Sequence, residues 1–171
     1  MTDAEFRDAY GCYKDLLYRF ALRMTGSGET AEDLVHECFL MLWRNGATYD
    51  PARGSLSGFL IGVTRNLALK RLSKERAFDE LEDVTAICEP IDPVTGERSA
   101  MVEQAVAALP PLQRDALILA EYEDMSLEEI AQATGAEIAA VKSRLHRARE
   151  NLRRLLAPLF ETKGAAYGTH K

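Results

Sequence analysis

SLEEIAQATGAEIAAVKSRLHRARENLRRLL, running from Ser126 to Leu156, predicts a short helix, a tight turn and a long second helix. Ser126 and Glu129 form an S-x-x-E capping box that starts the first helix. Ile130 and Ala131 then face inward, and Gly135 supplies the turn, where a positive φ carries no Cβ penalty. On the second helix Ile138, Val141, Leu145, Ala148, Leu152, Leu155 and Leu159 fall on one stripe at helical spacing. Lys142, Ser143, His146, Arg147, Glu150, Arg153 and Arg154 fall mostly on the other side. Charged outer faces are usually only solvated. A short helix, a glycine turn and a basic second helix in that order instead describe a helix-turn-helix that offers its second helix to the major groove.

The composition fits a folded chain with an uneven charge. Apolar residues make up 47% of the 171, enough for one or two small cores. The net charge is −6, which opposes DNA binding by the chain as a whole, because phosphate contacts need local positive charge. The distribution offsets this. Arg65, Lys70, Arg71, Lys74 and Arg76 cluster in one segment, and the basic helix is a second cluster. The acids gather at Glu29, Glu32, Asp33 and Glu37, and again between Asp79 and Glu97. Such a chain binds DNA poorly alone and better when a partner holds it there. Cys12, Cys38 and Cys88 form no C-x-x-C, and a lone His36-x-Cys38 is a weak metal signal beside reduced, mostly buried thiols. With no signal peptide and no apolar run of membrane-spanning length, no membrane insertion is expected and the cytoplasm is the simplest compartment.

Along the chain every element reads as a helix. A Thr2–Glu5 capping box opens one that reaches about Thr25 and turns Phe6, Tyr10, Tyr13, Leu17 and Phe20 inward. Gly26, Ser27 and Gly28 break it. A second runs from about Thr30 to Asn45, with Ala31, Leu34, Val35, Cys38, Phe39 and Leu42 as its stripe. After a Pro- and Gly-bearing loop, Ser55 caps a third from Leu56 to Arg76. Further helices span about Arg98–Leu109 and, behind Pro110 and Pro111, Leu112–Tyr122. The expected architecture is all-α: a helical domain over 1–77, an acidic linker over 78–97, a helix-turn-helix domain over 98–160 and a mobile tail over 161–171.

Two further surfaces invite a function. Glu32, Asp33, His36, Glu37 and Met41 stand opposite the stripe of the second helix, either as a solvated acidic face or as a docking surface for a partner's arginines. In SLSGFLIGVTRNLALKRLSKER, residues 55–76, Arg65, Lys70, Arg71 and Lys74 would meet backbone phosphates while the loop and Asn66 meet exposed bases. The alternative is an ordinary helix packed on Phe59, Leu60, Val63 and Leu67. No G-x-x-x-x-G-K, G-x-S-x-G or H-E-x-x-H is present, so no enzyme activity, cofactor or metal is expected.

These pieces in this order resemble a bacterial sigma factor of the extracytoplasmic-function (ECF) group. The resemblance lies in AEDLVHECFLMLW (31–43), RGSLSGFLIGVTRNLALKRL (53–72), LPPLQRDALILAEYEDMSLEEIA (109–131) and VKSRLHRARENLRRLL (141–156), nearly everything but the linker and tail. It implies a sigma-two-like domain that binds the beta-prime clamp helices of core RNA polymerase through Asp33, His36, Glu37 and Met41. It implies that Arg53, Ser55, Ser57, Arg65, Asn66, Lys70 and Arg71 read and melt the promoter minus-ten element. It places Lys142, Ser143, Arg144, His146 and Arg147 of a sigma-four-like domain at the minus-thirty-five element. It also implies a linker that threads toward the RNA exit path, and an anti-sigma factor as a further partner. The chain departs from the family at His36, where Gln is common, at Phe59, where Trp is common, and at Ala139-Ala140, where a Gly-Thr pair is common. The last removes a hydroxyl from the recognition helix's first turn. The rival readings are a free-standing helix-turn-helix regulator, which needs a dimer helix or ligand pocket, and a protein-binding adaptor, which leaves the basic helix unexplained.

Overall fold

The computed structural model describes residues 1–45, 48–76 and 98–164, and all its regular elements there are helical. The predicted linker and residues 165–171 lie outside the described residues. In chain order the helices are α1 (Asp3–Thr25), α2 (Gly28–Arg44), α3 (Leu56–Arg76), α4 (Arg98–Ala108), α5 (Pro111–Glu121), α6 (Leu127–Thr134) and α7 (Ile138–Gly164).

Both predicted capping boxes form. The Thr2 and Ser126 hydroxyls accept the backbone N–H of Glu5 and Glu129, and each glutamate reaches back to its cap residue's own N–H. Gly26 ends α1 at φ +71 and Ser27 caps α2 at once, so two residues reverse the chain and Gly28 is already helical. This tight reversal packs Leu17, Phe20, Ala21 and Met24 of α1 close to Leu34, Val35, Cys38 and Leu42 of α2, all of them buried. Each fully buried Leu or Phe contributes roughly 1.5–3 kcal/mol. Tyr10 departs from the predicted inward set. It is 43% exposed and lies against Phe39 with ring centroids 4.9 Å apart, at the edge of the α1–α2 contact and not within it.

α3 crosses this hairpin and is enclosed on two sides. Toward α2, the Leu60 carbonyl accepts the Cys38 thiol at 3.6 Å. Toward the C-terminal helices, Gly62 faces the backbone of Ala133 in α6. The predicted bounds of α3 hold, and because the helix is covered on two sides it has no single apolar stripe: Leu60, Ile61, Thr64, Arg65 and Ala68 are all buried.

α5 is the axis of the molecule. It packs on α1, α3, α6 and α7, and residues Arg114 to Leu119 are buried without interruption. α7 closes the C-terminal half through Val141, Leu145, Ala148 and Leu155, all buried. Ile138, predicted to join that stripe, is 39% exposed, because it stands at the helix's first residue, beyond the reach of α5 and α6.

Candidate nucleic-acid interface

The recognition helix presents the face its sequence predicts. Lys142, Ser143, His146 and Arg147 are exposed. His146 and Glu150 stand one turn apart at 3.6 Å, both open to solvent. Gly135, at φ +67, turns the chain between α6 and α7, and no atom lies within 4 Å of where its Cβ would be. Arg144 differs from its neighbours. It is half-buried, and its positive charge reaches Asp115 of α5.

The α2 face is also open. Glu32, Asp33, His36, Glu37 and Met41 are all exposed. The structure adds an apolar edge that the sequence reading left out: Leu40 and Trp43 are 42% and 49% exposed, with Met41 at 41%. Trp43 meets Phe6 in a T-shaped contact with ring centroids 5.0 Å apart and remains half exposed. Positions 36, 37, 40 and 41 are neighbours one turn apart on a helix, which grades the surface from acidic to apolar along α2. The signal was present in the sequence as a tryptophan just past the buried stripe. His36 and Cys38 do not converge: His36 is exposed, while Cys38 is buried and burial pushes its thiol pKa up.

The third predicted surface is brought together and open except at Arg65. Arg53 and Ser55 are exposed at the start of α3, with the Ser55 hydroxyl accepting the Gly58 N–H at 3.1 Å. Asn66 and Lys70 are exposed; Ser57 and Arg71 are half-buried. Arg71 also reaches Asp33 at 4.0 Å, so the α2 and α3 surfaces adjoin. Arg65, expected at a phosphate, is only 6% exposed. Its Nε donates to the Asp115 carboxylate at 2.5 Å, and its Nη1 donates to Asn66 Oδ1 at 3.2 Å and the Thr134 carbonyl at 3.4 Å. The physical reason is a partner fifty residues away that the local pattern of α3 could not reveal. Asp115 is fully buried, and burial raises its pKa although the Arg65 guanidinium pulls the other way.

Between α3 and the C-terminal half lies a cavity of about 590 Å³. Ser55, Ser57 and Asn66 line one side; Glu123, Asp124, Glu129 and Gln132 line the other. The neighbouring Arg114 ties the halves again by donating to the Met24 carbonyl at the end of α1. Neither Arg114 nor Asp115 stood out in the sequence reading, although adjacent charges inside an otherwise apolar helix were a usable signal. Among the described residues no group of His, Cys, Asp and Glu is arranged to hold a metal, and no helix is long and apolar enough to cross a membrane.

Comparison with known proteins gives the same two-part pattern. Residues 9–78 match the family Sigma-70 region 2, and residues 99–152 match Sigma-70, region 4. The chain is 30% identical over 169 residues to the ECF RNA polymerase sigma factor SigW of Bacillus subtilis, covering 90% of each chain. It is 34% identical over 157 residues to the ECF RNA polymerase sigma factor SigE of Mycolicibacterium smegmatis, covering 85% of this chain but spanning 59% of that longer protein. In fold it is similar to the sigma factor RpoE of Bartonella quintana, solved in complex with the anti-sigma factor NepR, with a TM-score of 0.71, 24% identity and coverage of 90% of this chain and 97% of that one. It is similar also to CnrH, solved with the cytosolic domain of CnrY, with a TM-score of 0.69, 20% identity and coverage of 92% and 90%.

Proposed function

The chain belongs to the ECF sigma factors of the sigma-70 family, and from that premise we propose that it binds core RNA polymerase, carries it to particular promoters and helps open the minus-ten element. It acts by binding and not by catalysis, in the cytoplasm. The observation that carries this reading is the coexistence of three distinct surfaces on one small helical chain. The graded acidic-to-apolar face of α2 suits a protein partner with arginines and an apolar ridge: Asp33, Glu37 and His36 supply the polar contacts, and Met41, Leu40 and Trp43 supply the apolar ones. That partner is the beta-prime clamp helices. The exposed face of α7 suits the minus-thirty-five duplex, with Lys142, Ser143, His146 and Arg147 at the groove and Arg144 buttressing from behind. The start and outer edge of α3, with Arg53, Ser55, Ser57, Asn66, Lys70 and Arg71, suit the separated minus-ten strand. The acidic net charge then explains why polymerase is needed to hold the chain on DNA. An anti-sigma factor is a further partner of the same surfaces.

A free-standing regulator finds no support in this geometry, since the N-terminal helices close on their own core and on α5. The test is transcription of fragmented genomic DNA by core polymerase with and without the chain. Transcripts whose starts share an upstream two-part motif, and which vanish with the Asp33→Lys/Glu37→Lys variant, are expected. Starts that do not depend on the chain would refute the proposal.

A further inference from the structure

We propose that the cavity between α3 and the loop joining α5 to α6 is a binding site for a small organic cation, an amine carried on an apolar body. The site belongs to the free chain, and its occupancy does not depend on the role of α3 in promoter opening.

The wall of the cavity is acidic. Asp50, Glu123, Asp124 and Glu129 line it, and among the described residues around it Arg53 is the only cation. Glu123 turns that wall into a site. Its side chain is 6% exposed, and its Oε1 is buried with no hydrogen-bond partner among the described residues. The Arg23 guanidinium stays 3.9 Å from that oxygen and sits instead over the Tyr122 ring, 4.1 Å from its centre. A buried carboxylate oxygen without a donor is costly, so the position favours a ligand that brings one. Glu129 and Asp50 are less available. Each already accepts a backbone N–H, from Ser126 at 2.8 Å and from Ala52 at 2.9 Å.

The backbone holds Glu123 and Asp124 in place. After α5 the Glu123 N–H donates to the Ile118 carbonyl at 3.2 Å and the Met125 N–H to the Leu119 carbonyl at 3.0 Å, which folds the loop back on its helix. Asp124, between them, takes a left-handed conformation at φ +51, which aspartate adopts more readily than most residues.

The α3 side supplies the apolar half. Tyr49 and Phe59 line the cavity with ring centroids 5.5 Å apart, and the Tyr49 hydroxyl donates to the Gly54 carbonyl at 3.2 Å. Val63 and Met125 add further apolar surface. Aromatic faces attract cations, and an ammonium group has three donors to offer. The acidic wall disfavours an anionic ligand. A volume of about 590 Å³ is that of a small-molecule pocket, and more than one lysine or arginine side chain fills. No His, Cys, Asp and Glu group among the described residues is arranged for a metal, which leaves an organic cation.

The probe is tryptamine, with tryptophol as its uncharged match, each titrated into the full chain by calorimetry at physiological salt. Circular dichroism confirms that every variant is folded. Tryptamine is expected to bind about tenfold more tightly than tryptophol. Glu123→Gln keeps the shape of the side chain and removes its charge, and should weaken tryptamine about tenfold while leaving tryptophol unchanged. Asp124→Asn, at an exposed position whose backbone asparagine also adopts, should give a smaller loss in the same direction. Glu103→Gln on α4, outside the cavity, should change nothing. In spectra of methyl-labelled methionines the Met125 signal should move on titration, and that of Met101, buried in α4, should not. Tryptamine binding that is absent at millimolar concentration, no tighter than tryptophol, or unchanged in folded Glu123→Gln would overturn the site. Tighter binding of acetyl-arginine amide than of tryptamine would overturn the small-molecule assignment, since the occupant would then be a partner protein's side chain.

Discussion

The basic faces of α7 and α3 use the same chemistry in opposite settings. On α7, Lys142 and Arg147 are exposed, and the fully buried positions Val141, Leu145, Ala148 and Leu155 all lie on its apolar stripe. On α3, Arg65 lies within the molecule because the helix is covered from two sides and meets a carboxylate from another part of the chain. A cation on an amphipathic helix is therefore read correctly from its own neighbours only when the helix has a single buried face. When it has two, the partner decides, and the partner can lie anywhere in the sequence.

The sharpest way to break this contrast is to remove the partner. Asp115→Ala leaves Arg65 buried without a counter-charge and should cost about 3–5 kcal/mol in denaturant unfolding. Arg65→Met/Asp115→Leu should recover most of that loss, since well-packed apolar replacements of a buried pair are near neutral. A single variant as stable as the wild type would show that the pair does not form in solution.

A second test compares the two sides of α7. Leu145 is 3% exposed, and Leu145→Ala should cost about 2–5 kcal/mol. Arg147→Ala, two residues away on the outer face, should stay within about 0.5 kcal/mol. Similar losses at both positions would mean that the outer face is packed and not free.

The third prediction separates roles on the open face. Lys142→Ala should weaken all promoters alike and lower the salt slope by about one, as expected for a lost phosphate contact. Arg147→Ala should cost about 1–3 kcal/mol at one upstream position and relax its base preference. A library of promoters transcribed with each variant distinguishes them. Wild-type preference at every position in both variants would remove α7 from the reading of DNA.

The helices themselves were legible in the sequence because their signals are local. The Thr2–Glu5 and Ser126–Glu129 boxes, the Gly26 and Gly135 stops and the Pro110-Pro111 boundary act over three or four residues. The acidic α2 face and the outer face of α7 were legible for the same reason: each belongs to a helix with one clean stripe. Tyr10 and Ile138 were misplaced because a stripe does not show where the neighbouring helix ends. Arg65 and Asp115 were not legible as a pair, since only the packing of α3 on α5 brings them together.

The central claim is that the DNA surfaces of this acidic chain work only when polymerase holds them. The most direct measurement is the affinity of the purified chain for duplex promoter fragments at physiological salt, with and without core polymerase, at two salt concentrations. Alone, the chain should bind weakly, with little sequence preference and a steep salt dependence. With core polymerase, binding should become tight and specific. A nanomolar-scale, sequence-specific complex formed by the chain alone would contradict the account.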